Sequence, residues 1–525
     1  MTSARRRSAL YAVIAAIAAI VAVLGMMTSC TGENQAKEAN GPVAPSAGTV
    51  SAGTDVIGDV PAELLPFYSQ AVEWEACEDE LLCATVEVPM DYADPDGQTV
   101  ELSAILAGAE GDPQGTILLN PGGPGGSGYD MVSESLEFVT TDRLREDFNV
   151  LGFDPRGVGR STPVQCLTDA EMDAERSEYL DASTPAGLEA ARASARELAA
   201  KCAEKSGDLL GFVDTVSAAR DMDILRAVAG DAKLNYLGFS YGTFLGATYA
   251  ELFPEKVGRM VLDGGIDPAA SNEEVTLGQA QGFEKAIRAY VEDCLSAGNC
   301  PLSGTPEQAI ETIQALFASI EASPMTASDG RVVTVSTFVS GFILPLYNDE
   351  NWPALTQALG DALKGNPSYM LQLADLSADR QPDGTYGSNS TVAFSAVNCL
   401  DYPMTSDDEQ MRLDAKELEE ASPTIGKYLG YGGVTCESWP AGPVNEPHEI
   451  HASGAADMLV IGTTGDPATP YEWSVALAGQ LESATLVTWE GEGHTAYGRG
   501  DQCIADTVDE YFINGTVPAE DIVCS

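Results

Sequence analysis

The chain has 525 residues, 80 of them acidic and 27 basic, giving a formal charge of -53 and a pI near 4.1. That balance sets it against nucleic acid and anionic lipid surfaces as electrostatic partners and favours cationic ligands. The length can bury a large core, and more than one domain is expected.

Arg5, Arg6 and Arg7 precede an apolar run from Ala9 to Met27, followed by Thr28, Ser29 and Cys30, the pattern of an export signal. A small residue directly before Cys30 is similar to a lipoprotein cleavage site, after which Cys30 would carry lipid and become the mature amino terminus. The alternative is an uncleaved membrane anchor. Either way the rest of the chain is expected outside the cytoplasmic membrane, secreted or held only by this anchor. Residues 31–60, rich in Gly, Ala, Ser, Thr and Pro, read as a flexible tether.

Strand and helix patterns alternate over Leu102 to Asn120, Val150 to Asp154, Asn235 to Gly264 and Met458 to Phe512. They predict an α/β fold with a mainly parallel sheet flanked by helices. Asp169 to Cys202, rich in alanine and glutamate, predicts a helical insertion. After the strand Thr116 to Leu119, the sequence PGGPGGSG places Gly122, Gly123, Gly125 and Gly126 in a loop whose backbone can approach a ligand closely. A phosphate-binding reading lacks the GK[ST] ending, and Pro121 and Pro124 remove amide donors.

Ser240 stands at the centre of GFSYG, after the apolar run through Leu237 and before a helix-compatible stretch beginning near Thr243. That is the form of a nucleophile elbow, where glycines two residues to either side make room for a sharp strand-to-helix turn. From 271 to 450 helical segments such as Leu277 to Ser296, Pro306 to Ala322 and Trp352 to Leu363 follow one another without clear strands. They read as a helical cap over the sheet's carboxyl edge, dividing a first core part (61–270) from a second (451–525).

A serine nucleophile needs a base, and the chain offers His448, His451 and His494. The first two lie in PVNEPHEIHASG, a Pro/Glu-containing surface or junction segment. His494 lies in GEGHTAYG, a glycine-rich loop after the strand Ala484 to Trp489, and is the candidate base. The acid is expected between serine and histidine in chain order. Asp466, in GDPATP beyond the strand Leu459 to Ile461, fits best; Asp263 in MVLDGG is the rival. Asp466 is preferred because its spacing to His494 leaves room for one helix, Glu472 to Leu481, and one strand. The glycine loop, with the amide of Tyr241, would then supply donors to an oxyanion.

The segments NPGGPGGSG (Asn120 to Gly128), FDPRGVGRSTP (Phe153 to Pro163), GFSYGT (Gly238 to Thr243), VLDGGIDP (Val261 to Pro268), GDPATP and GEGH together resemble the secreted tripeptidyl aminopeptidase and prolyl aminopeptidase-like α/β hydrolases of actinobacteria, over about residues 60 to 525. Pro121 stands where a histidine often opens the glycine motif. The resemblance implies an α/β-hydrolase fold with a helical cap, Ser240, Asp466 and His494 as nucleophile, acid and base, Gly123 and Tyr241 as oxyanion donors, and no cofactor. It implies release of short amino-terminal peptides; carboxylic-ester hydrolysis by the same groups is the alternative.

Besides Cys30 there are ten cysteines: Cys77, Cys83, Cys166, Cys202, Cys294, Cys300, Cys399, Cys436, Cys503 and Cys524. An even number fits five disulfides in an oxidising compartment. Composition leaves connectivity open; nearest-neighbour pairing is the simplest and the one the resemblance implies. No CxxC occurs and histidine is scarce, which argues against zinc. A peptide's free amino terminus is cationic, and Asp401 in NCLDYP and Glu437 beside Cys436 are candidate anchors for it, with plain surface carboxylates the competing reading.

Overall fold

The structure is a computed structural model that describes residues 47–77 and 81–525. The expected export segment, Cys30 and most of the expected tether lie outside the described residues. Eleven strands make one sheet: β1 (Gly48–Val50), β2 (Val72–Ala76), β3 (Leu82–Pro89), β4 (Thr99–Ala107), β5 (Thr116–Asn120), β6 (Asn149–Phe153), β7 (Leu234–Phe239), β8 (Val257–Asp263), β9 (Met458–Gly465), β10 (Ala484–Glu492) and β11 (Ile522–Cys524). Their spatial order is β1-β2-β3-β4-β6-β5-β7-β8-β9-β10-β11. The first four are antiparallel to their neighbours, and the seven from β6 to β11 run parallel. β5 (TILLN) and β6 (NVLGF) are buried at every position, because helices cover both faces.

The principal helices are α1 (Gly128–Val139), α2 (Asp169–Arg176), α3 (Pro185–Ser206), α4 (Thr215–Val228), α5 (Tyr241–Leu252), α6 (Asn272–Ser296), α7 (Pro306–Ala322), α8 (Val335–Ile343), α9 (Trp352–Ala362), α10 (Ser368–Ser377), α11 (Ser390–Asp401), α12 (Asp408–Ala421), α13 (Tyr471–Gln480) and α14 (Gln502–Asn514). The segment from α6 to α12 is helical apart from a two-stranded ladder at 325–326 and 332–333. It has a core of its own, in which Phe317 meets Phe338 and Phe342 edge-on at 5.6 and 5.2 Å.

One expectation is corrected. Within the predicted tether, β1 pairs with β2, a short helix covers Thr54–Ile57, and Ile57 enters the main core. Arg226 Nη1 donates to the carbonyl of Val56 at 3.0 Å. The apolar positions Val50, Val56 and Ile57 are too few to stand out from the small polar residues around them. The helical insertion 169–202 is two helices: α2 ends at Arg176, and Thr184 caps α3 by accepting from Gly187 N, with Pro185 at the first turn.

The ten cysteines pair as nearest neighbours: Cys77–Cys83, Cys166–Cys202, Cys294–Cys300, Cys399–Cys436 and Cys503–Cys524. The five adjacent parallel strands β5, β7, β8, β9 and β10 end, at their carboxyl edge, in the glycine loop, Ser240, Asp263, Asp466 and the His494 loop respectively. In an open parallel sheet that edge is where ligands bind.

Candidate active site

Ser240 joins β7 to α5 with φ 56° and ψ -124°, a conformation that costs a residue bearing a Cβ on the order of 1–3 kcal/mol. The glycines on either side are required: a Cβ on Gly238 would lie 2.5 Å from Gly242 O, and one on Gly242 would lie 2.9 Å from Asn120 O. The Ser240 amide donates to Asp263 O at 2.8 Å, and its carbonyl accepts from Thr243 N at 2.8 Å and Thr243 Oγ1 at 2.6 Å. Among the described residues its hydroxyl has no hydrogen-bond partner.

His494 presents Nδ1 to Asp466, 2.9 Å from Oδ2 and 3.0 Å from Oδ1. Asp466 is buried, and its carboxylate accepts from Ala468 N and Thr469 N, both at 2.9 Å, from Thr469 Oγ1 at 3.0 Å and from Thr495 N at 3.1 Å. These donors replace the water that the charge gave up on burial. An imidazole fixed in this way presents Nε2 as a proton acceptor. A Cβ on Gly264, directly after Asp263, would lie 3.4 Å from His494 Cε1. Tyr347, from the helical segment, meets the imidazole edge-on at 5.4 Å and is backed by Phe283 at 5.6 Å.

The rival acid, Asp263, makes no bond to the imidazole. It accepts from Ala496 N and Tyr497 N, and burial pushes its carboxyl up to about 6. His448 and His451 are exposed on the surface.

The glycine loop touches the serine turn at Gly122. A Cβ there would lie 2.4 Å from Phe239 O and 2.9 Å from both Ser240 Cβ and Tyr241 N. Asn120 Oδ1 accepts from Gly122 N at 2.9 Å, and Gly126 N donates to Gly122 O at 3.0 Å. Among the described residues the amides of Gly123 and Tyr241 have no acceptor. For Tyr241 that follows from its place at the first position of α5. Asn120, Thr469 and Tyr347 carry no motif of their own, and sequence reasoning missed them; only Asn120 and Thr469 lie inside motifs it used.

Neither expected amino-terminal anchor is a free anion. Asp401 is buried, accepting from Thr215 N at 3.0 Å, Thr215 Oγ1 at 2.5 Å and Asn445 Nδ2 at 2.7 Å, while the Tyr241 hydroxyl closes on Thr215 Oγ1. Its carboxyl is pushed up to about 7 by burial. Glu437 pairs with Arg192 at 2.8 Å, beside the Arg192 contact to Asp408 at 2.6 Å.

Against known proteins, residues 422–524 match the family model described as TAP-like protein. The chain is 36% identical over 480 residues to the serine protease Hip1 of Mycobacterium tuberculosis (strain CDC 1551 / Oshkosh), covering 87% of this chain and 92% of that protein. The chain belongs to the TAP-like family of α/β hydrolases. Carboxylesterase B of the same organism is 36% identical over 479 residues, covering 88% of this chain and 91% of that protein. Tripeptidyl aminopeptidase of Streptomyces coelicolor is 30% identical over 473 residues, with 86% of each chain covered. This TAP-like protein is therefore a serine hydrolase. Among its described residues the one group of metal-ligating types, Asp501, Cys503 and Cys524, contains the two sulfurs of a disulfide, which have no thiolate to offer a metal.

Proposed function

We propose that the protein is an exported exopeptidase that removes short peptides, two or three residues long, from the free amino ends of polypeptides. Ser240 attacks the scissile carbonyl while His494 Nε2 takes its proton, and Asp466 holds the ring and stabilises the imidazolium. The amides of Gly123 and Tyr241 donate to the oxyanion. The imidazolium then protonates the leaving amine, and water, deprotonated by His494, hydrolyses the acyl-enzyme. The observation that carries this reading is the Asp466–His494 contact at 2.9 Å on the same sheet edge as the left-handed Ser240.

Two relatives whose names denote peptide cleavage support the peptidase reading over plain ester hydrolysis. Carboxylesterase B, equally similar, supports the second reading, an esterase using the same groups.

The two are separated by a matched set of chromogenic substrates: a free-amine tripeptide, the same peptide N-acetylated, and short-chain acyl esters, with Ser240→Ala as control. Turnover of the free-amine peptide that is lost on acetylation is the expected result. Ester turnover alone, abolished in Ser240→Ala, moves the function to the esterase.

A further inference from the structure

Asp263 is buried at the end of β8 and takes no part in the proton transfers above. Its two ends face different parts of the site. The main-chain carbonyl accepts the Ser240 amide at 2.8 Å. The side chain accepts from Ala496 N, 3.0 Å from each carboxylate oxygen, and from Tyr497 N at 2.7 Å. Asp466 meanwhile holds His494 Nδ1 and Thr495 N. Four consecutive residues, 494 to 497, are thus gripped by two carboxylates from neighbouring strands.

That grip has work to do. Thr495 sits at φ 63°, a left-handed conformation that a β-branched residue does not adopt unaided. Packing closes the same corner, since a Cβ on Gly264 (φ +72°) would lie 3.1 Å from Thr495 Cγ2.

We infer that Asp263 is a positioning residue of the hydrolytic reaction: its carboxylate fixes the loop that aims His494, and its negative charge, beside that of Asp466, stabilises the imidazolium formed when Ser240 gives up its proton. The inference rests on the assignment of Ser240 and His494 as nucleophile and base. The charged groups that face Asp263 are His494, Asp466 and, more distantly, Arg499. Among the described residues no cation forms an ion pair with Asp263, and the nearest carboxylate partner of Arg499 is Asp349 at 3.8 Å. The imidazolium is therefore the positive charge best placed to benefit. A carboxylate needed only to satisfy two loop amides could be replaced by a neutral acceptor at no cost to the base.

The test follows the rate of Ser240 modification by a fluorophosphonate, and kcat and KM for a short-chain ester, across pH for wild type and Asp263→Asn. The expected result is a fall in kcat of about 10- to 100-fold with KM little changed. The acid limb of the profile should also move to lower pH, by on the order of one unit, because the imidazolium has lost a stabilising charge. A lower kcat with the limb unmoved would overturn the electrostatic role, and unchanged kcat would overturn the positioning role. Should Asp263→Asn fail to fold, Asp263→Glu carries the test by keeping the charge while displacing the acceptor. It is expected to lower kcat without moving the limb; full activity or a shifted limb would sink the idea. Absence of labelling at Ser240 in the wild type would instead overturn the assignment of the nucleophile, and this inference with it.

Discussion

The backbone carbonyl of Tyr347 accepts the amide hydrogen of His494 at 2.8 Å, so a residue of the helical segment holds this histidine by its main chain and flanks its imidazole with its ring. His494, the proposed base, is thereby steadied by Asp466 from the sheet and by Tyr347 from the helices. Tyr347→Ala keeps the carbonyl but removes the flanking ring, and is expected to lower kcat about tenfold through looser orientation of the imidazole. Tyr347→Phe should retain wild-type turnover, since the phenol oxygen has no hydrogen-bond partner among the described residues. Steady-state kinetics on one ester substrate distinguishes the two.

Gly122 is the position where the glycine loop lies closest to the nucleophile turn. Gly122→Ala would place a methyl group 2.4 Å from Phe239 O at a residue whose φ is +91°. Neither contact atom can yield, because one is backbone and the other belongs to Ser240. The variant should lose activity by at least about 100-fold, with labelling at Ser240 slowed in parallel. Normal labelling would mean that the loop does not shape the oxyanion site.

Burial raises several carboxyl groups, among them Asp401 to about 7 and Asp263 and Asp231 to about 6. Each binds its proton more tightly in the fold than in the unfolded chain, whose carboxylates titrate near 4. Their contribution to stability is therefore full below about pH 4 and is lost as pH rises towards 7. Repulsion within a chain of charge -53 acts in the same direction. Below that window the sign reverses, because the hydrogen bond from Arg380 holds Asp173 under the ordinary carboxylate range. Thermal unfolding should occur at a higher temperature at pH 5 than at pH 8, and Asp401→Asn should flatten the difference. A protein more stable at pH 8 would contradict this account.

Residues 48–57 belong to the folded body. A chain beginning at residue 61 loses strand β1, the Ile57 side chain from the core and the acceptor of Arg226 at Val56. Burying a side chain such as Ile57 contributes about 1.5–3 kcal/mol. Protein starting at residue 61 should melt several degrees below protein starting before Gly48, as calorimetry would show.

Much of this site was legible because its motifs are backbone requirements. GFSYG and PGGPGG are readable since only glycine fits where two chains nearly touch, and GEGH because the loop must turn sharply after β10. Chain spacing alone favoured Asp466 over Asp263, and it is Asp466 that meets His494. What the sequence hid were relations set by tertiary packing. Tyr347 is one aromatic among many in a helical segment without strands. The fate of Glu437 depended on which of 80 carboxylates meet 27 cations, and that of Asp401 on its burial against Thr215 and Asn445, matters of distances rather than order. The fold of 48–57 was masked by its composition, since a short edge strand needs few apolar residues once a neighbour supplies the hydrogen bonds.

The five disulfides close loops that follow one another along the chain without overlapping, spanning 6, 36, 6, 37 and 21 residues. In every pair the partner is the next cysteine along the chain. The first four pairs can close before the carboxyl terminus is made, and only Cys503–Cys524 must wait for it. The same arrangement leaves Ser240 and His494 joined by no covalent bridge, so a single cut between Cys300 and Cys399 would yield two pieces held together by packing alone.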